Sequence, residues 1–146
     1  MRIGRTSRVL ASAVFGAVLA VGAATSSASA ADGRQRANLT SDSPGMESAC
    51  IDWFLGGEAC FEPYGEWFWV RDVQADNDPV AIIWNYQSPI GTHRSGVIYH
   101  DYGKAAGWAN LNKSFEENGW MTFSVCNINL SNGDTWDCSA DQYSQT

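Results

Sequence analysis

The sequence predicts an all-β protein: an antiparallel β-sandwich of seven or eight short strands with two hairpin disulfides. Three observations carry this. Short runs rich in aromatic and β-branched residues alternate with Gly, Pro, Asn and Asp clusters at near-regular spacing. No segment repeats the i, i+3, i+4, i+7 pattern of an amphipathic helix. Four cysteines fall into two pairs, and each pair brackets a turn signal.

The N-terminus sets the compartment. Arg2, Arg5 and Arg8 form a basic start, residues 9–24 an apolar run, and Ala28-Ser29-Ala30 a small-x-small cleavage site. Residues 1–30 therefore read as a secretory signal peptide, with an apolar run too short for a membrane span. The secreted, extracellular chain is expected to begin at Ala31. Three of the 9 basic residues leave with the signal, while all 16 acids remain. So acidic a chain repels nucleic acid and anionic membrane surfaces, and neither is expected as a partner.

Residues 31–48, ADGRQRANLTSDSPGMES, are polar and without apolar periodicity. They are expected to be a disordered N-terminal tail. Arg34 and Arg36 give this tail a sign opposite to the domain behind it. That makes them candidates for binding a partner's acidic cleft, against the plainer reading of a spacer.

The β-sandwich domain is expected over residues 49–146. In an exported chain, four cysteines imply two disulfides, with three possible connectivities. Cys50–Cys60 and Cys126–Cys138 are favoured, because each would staple a hairpin. Residues 50–54 and 58–64 form the first hairpin, around Gly56-Gly57. Residues 65–86, GEWFWVRDVQADNDPVAIIWNY, hold two strands joined by a polar turn, both apolar on both faces. Residues 92–100 and 108–115 are further strands. Asn118-Gly119 signals a tight turn opening the next hairpin. Residues 120–130 form the longest strand, with Met121, Phe123 and Val125 on one face. Ile128 and Leu130 lie on the opposite parity, so a bulge is expected near Asn127. A Ser131-Asn132-Gly133 loop would place Cys126 opposite Cys138. The last six residues are expected to fray.

No catalytic set stands out. Ser95, His100 and Asp101 are the raw material for a triad, but adjacent strand residues point apart and no Gly-x-Ser-x-Gly turn is present. Glu58, Glu62, Glu66, Glu116 and Glu117 are numerous enough for paired-acid hydrolysis, yet solvated loop acids are the simpler reading. Asp72, Asp76, Asn77 and Asp78 crowd one loop without EF-hand spacing, and the cysteines lack zinc-site spacing. No metal or other cofactor is expected. The unusual feature is seven Trp. Trp67 and Trp69 share a strand face with Arg71. Such a face suits either a partner protein or sugar rings, unless the chain covers it itself.

The run Gly65-Glu66-x-Phe68-x-Val70-x-Asp72, the following Ala75-Asp76 and apolar strand, and the segment ending Trp108-Ala109-Asn110 carry a resemblance. The chain resembles small secreted, disulfide-stapled β-sandwich proteins of filamentous GC-rich bacteria, most without an assigned function. It lacks a further Cys pair that others carry around the positions of Val97–Asn110. Some resemble the adaptor subunit of secreted umbrella toxin particles. That resemblance implies a compact β-domain linking a lectin-bearing subunit to a toxin chain, with an N-terminal tail inserted into the former. The expected function is thus a secreted, non-enzymatic binding or adaptor protein of an antibacterial toxin complex. A carbohydrate- or cell-wall-binding module and a secreted peptidase inhibitor are the alternatives. Expected partners are other secreted proteins or polysaccharide.

Overall fold

The computed structural model describes residues 29–146. The expected signal peptide lies outside them except for its last two residues. Alternating side chains build two sheets around one core, confirming the disulfide-stapled β-sandwich. The smaller sheet runs in the order β2 (Asn38–Leu39), β8 (Ala109–Asn112), β5 (Trp67–Asp72), β4 (Gly57–Glu62), β3 (Ala49–Phe54). The larger runs β1 (Ser29–Arg36), β7 (His93–His100), β6 (Val80–Gln87), β9 (Trp120–Ile128), with β10 (Thr135–Trp136) and β11 (Gln142–Gln145) both on the far edge of β9. Edge strands raise the number to eleven among the described residues. Among the described residues the one helical element is a 3-10 turn at Lys104–Ala106, and no helix is long and apolar enough to cross a membrane.

Phe61, Phe68 and Val70 of the smaller sheet face Ile82, Trp84, Tyr86, Ile98, Met121 and Phe123 of the larger, all buried. Each such side chain contributes about 1.5–3 kcal/mol on burial. Phe68 and Trp84 meet across the layers with ring centroids 5.7 Å apart. Two glycines make room for this packing. A Cβ on Gly96 would lie 2.8 Å from the Trp84 ring, and one on Gly119 would lie 2.3 Å from the Tyr86 ring.

Residues 65–86 do not form a hairpin. β5 lies in the smaller sheet and β6 in the larger, so the Asp/Asn/Pro turn carries the chain between layers. Asn118-Gly119 likewise ends a crossing, from β8 to β9, and is not a two-stranded turn. Apolar residues on both strand faces mark burial but do not choose the pairing partner.

The N-terminal segment departs furthest from expectation. It is no disordered tail over its first half. β1 pairs in parallel with β7, then Ala37 is buried and β2 joins β8, so the chain passes from one sheet to the other along one side of the sandwich. Its backbone hydrogen bonds go to β7 and β8, which supply the order that its composition does not. The final residues do not fray either. β11 pairs with β9, and the Asn118 N–H donates to the Thr146 carbonyl at 2.8 Å.

Both expected disulfides are present. Cys50 and Cys60 are direct cross-strand partners. The second hairpin reaches the same end differently. Asn129 and Asp134 close its loop, and Gly133 takes a positive φ. In that register Cys126 would face Asp137, one residue short of its partner. Asp137 has φ 50°, and this kink brings Cys138 into place. The parity switch in β9 needs no bulge, because its pairing with β6 is continuous through Asn127. Asn127 points to the β3–β4 turn, donating to the Leu55 carbonyl at 3.3 Å, and Ile128 is buried on the other side. Two disulfides in the folded chain fit an oxidising compartment.

Candidate functional site

Phe68 and Val70 point into the core, so Trp67, Trp69 and Arg71 leave the outer face of the smaller sheet. The structure brings these three together, but not as an open platform. Arg71 pairs with Glu58 across the strands at 2.5 Å and lies 4.7 Å from the Trp108 ring centre. The Trp69 indole N–H donates to Glu62 Oε2 at 3.1 Å, and the residue is only 6% exposed. Its burial follows from topology. β2 and β3 occupy opposite edges of the sheet, so residues 40–48 must pass from one edge to the other. At one corner the Thr40 N–H donates to the Trp108 carbonyl. At the diagonal corner Gly45 sits so close that a Cβ there would lie 3.0 Å from Glu62 Oε1. The segment is a strap over the sheet; Trp67, its ring 6.4 Å from that of Trp69, and Arg71 stay partly open.

Arg34 and Arg36 are placed on β1 and both are engaged within the chain. Arg34 donates to the Leu130 carbonyl at 2.9 Å. Arg36 pairs with Asp101 at 2.6 Å and stacks 4.0 Å above the Tyr102 ring. The hydrogen bond to Asp101 raises the pKa of the guanidinium.

Sequence reasoning missed Asp32. Its carboxylate accepts from Arg94 Nε at 3.2 Å and Nη2 at 2.7 Å, and from Lys113 Nζ at 2.8 Å. Lys113 also donates to Gln35. The two cations lie over the Trp84 and Phe115 rings at the open side of the core. The Arg94 hydrogen bonds are the main reason the Asp32 carboxyl sits below its ordinary pKa, with burial opposing and Lys113 assisting. This clasp adds side-chain contacts to the β1–β7 pairing. No local signal marks it, because its members are 62 and 81 residues apart in sequence.

The triad material does not assemble. His100 is fully buried, its Nε2 3.0 Å from the Gly107 carbonyl. Ser95 belongs to the opposite parity of β7 and so to the outer face. In the acidic loop, Asp72 and Asp76 accept the N–H groups of Gln74 and Asp78, two residues on in each case. Burial raises the pKa of Asp72. No group of three or more His, Cys, Asp or Glu side chains among the described residues is arranged to hold a metal. Of the glutamates, Glu66 accepts the Phe115 N–H at 2.9 Å and, with Glu117, lines an end groove of about 490 Å3.

Exposed apolar side chains gather near that groove. Tyr64 is 75% exposed, Ile90 81%, Trp120 57% and Tyr143 65%. They sit on the β4–β5 turn, the β6–β7 turn, the start of β9 and β11, all at or near one end of the sandwich. The opposite end carries the cleft lined by Asp72, Asp78 and Asp101. No protein-family model matches the chain, and neither a curated protein nor a solved structure is significantly similar to it.

Proposed function

We propose that this chain is a secreted, non-enzymatic binding domain that engages its partner through the apolar end of the sandwich. The observation that carries this is the clustering of Tyr64, Ile90, Trp120 and Tyr143 there, exposed on a scaffold held by two disulfides. Exposed aromatic side chains grouped on a rigid frame are the usual anchors of an interface. The adaptor role implied by the resemblance fits this end better than the N-terminal segment, whose Arg34 and Arg36 already have partners. The test is affinity recovery from the producer's culture fluid followed by mass spectrometry. Large secreted proteins should co-purify, and Tyr64→Asp with Ile90→Asp should lose them without moving the melting temperature. A chain recovered alone, or a double variant that keeps the same partners, sinks the adaptor form.

One feature favours the inhibitor reading as the second. Ile90 projects from a turn fastened by three hydrogen bonds: Ser88 N–H to the Thr92 carbonyl, Gly91 N–H to the Ser88 carbonyl, and Thr92 N–H to Ser88 Oγ. A rigid, exposed apolar side chain on a short turn can fill a peptidase's specificity pocket. Assays against a panel of secreted peptidases decide it; inhibition should vanish in Ile90→Gly, and absence of inhibition across the panel removes this reading.

A further inference from the structure

We infer that the outer face of the larger sheet, around Trp120 and Tyr143, is a binding site for a neutral polysaccharide. The inference rests on the binding-domain reading and names the ligand class of one surface. Strand register places the face. Across β7, β6, β9 and β11, one row reads His93, Gln87, Trp120, Gln145. The next reads Ser95, Asn85, Thr122, Tyr143. Met121 and Phe123 point to the core, so these residues point to solvent. Trp120 and Tyr143 are diagonal neighbours on adjacent strands, separated by roughly 7–8 Å.

Three properties select the ligand. Two exposed aromatic rings on paired strands offer flat apolar area to the C–H faces of sugar rings. The amides of Asn85, Gln87 and Gln145, all exposed, stand beside them, each with donors and an acceptor for hydroxyl groups. No carboxylate, Lys or Arg occurs in either row, although the chain carries 16 acids and 9 basic residues. The charge-free rows favour a neutral ligand; Arg34, which lines the hollow beside Asn85 and Ser95, donates to the Leu130 carbonyl. The frame is also stiff: the Gly119 N–H donates to Thr146 Oγ1 at 3.0 Å, which ties the start of β9 to the end of β11.

The test is affinity electrophoresis of the folded domain through gels containing soluble β-glucan, xylan, amylose or mannan, with polygalacturonate as an anionic control. At least one neutral polysaccharide should retard the protein, equally at low and high salt. Trp120→Ala and Tyr143→Ala should each weaken that retardation at least tenfold, and Gln87→Ala about threefold, with unchanged melting temperatures. Trp67→Ala, on the other sheet, should leave it intact. No retardation by any neutral gel, retardation only by polygalacturonate, or full retardation of the Trp120→Ala, Tyr143→Ala double variant overturns the inference. Recovery of secreted proteins from culture fluid is scored separately. If partners are recovered while every neutral gel is silent, the sugar site fails and the binding domain stands. If those partners are also lost in the double variant, the face is a protein interface instead.

Discussion

The outer faces of the two sheets carry similar side chains and meet different fates. On the smaller sheet, Trp67, Trp69 and Arg71 lie under or beside a strap, and Trp69 is buried with its N–H bonded to Glu62. On the larger sheet, Trp120 and Tyr143 stand open, with no cover from the other described residues. The difference teaches that an aromatic strand face is only a candidate surface. The route of the connecting chain decides whether it is core, cover or contact.

The sharpest way to break this comparison is to truncate one Trp from each face. Trp69→Ala should cost about 3–5 kcal/mol, the range for removing a buried aromatic. A loss below 1 kcal/mol in chemical denaturation would mean that the strap does not bury that face in solution.

Next in size is the Asp32 clasp, which adds side-chain contacts to the β1–β7 pairing. Asp32→Asn leaves Arg94 and Lys113 without their carboxylate and should cost about 2–3 kcal/mol at neutral pH, less than for a fully buried pair because the site is partly solvated. The pH dependence follows from the lowered pKa. Stability from this group is fully present above its ordinary value of 3.8 and is lost as pH falls through the lower folded value. The wild type should therefore show an acid-side loss in melting temperature that the Asn variant lacks. Identical acid profiles would show that the clasp does not hold β1.

The disulfide beneath the strap comes third. Cys50 and Cys60 are 10 residues apart, and opening so short a loop should cost about 2–3 kcal/mol by the loop-entropy model. The double Ala variant should remain folded and soluble, since the β3–β4 pairing is intact, with its midpoint in urea lowered accordingly. Peptide mapping without reductant should return the Cys50–Cys60 and Cys126–Cys138 links; cross-links between the two hairpins would reject the pairing. The smallest effect belongs to the open face. Trp120→Ala should change stability by no more than about 0.5 kcal/mol, as for an ordinary surface substitution. A loss as large as that of Trp69→Ala would erase the contrast between the two faces.

Much of the fold was legible locally. Period-two alternation placed the strands, Gly and Asn marked their turns, and both cysteine pairs fell across hairpins short enough to find each other. Burial of Phe68, Val70, Met121 and Phe123 follows from the same alternation. The site was less legible. Trp67, Trp69 and Arg71 share a strand and so stand out in sequence, whereas Trp120 and Tyr143 become neighbours only when β11 pairs with β9. Asp32 sat unnoticed in a polar stretch for the same reason.

What the sequence determined by itself is therefore the set of local decisions: all-β elements, two hairpin staples, and which residues alternate together along each strand. Those depend on backbone geometry and on contacts within a dozen residues. Only the tertiary structure decided that β5 and β6 belong to different sheets, that residues 29–39 are ordered, and which aromatic face stays open. Each of those outcomes depends on a partner distant in the chain. A polar segment such as β1 has too little apolar surface to offset its ordering entropy alone. It becomes ordered because β7 satisfies its backbone and Arg94 and Lys113 capture Asp32, and nothing within the segment encodes either.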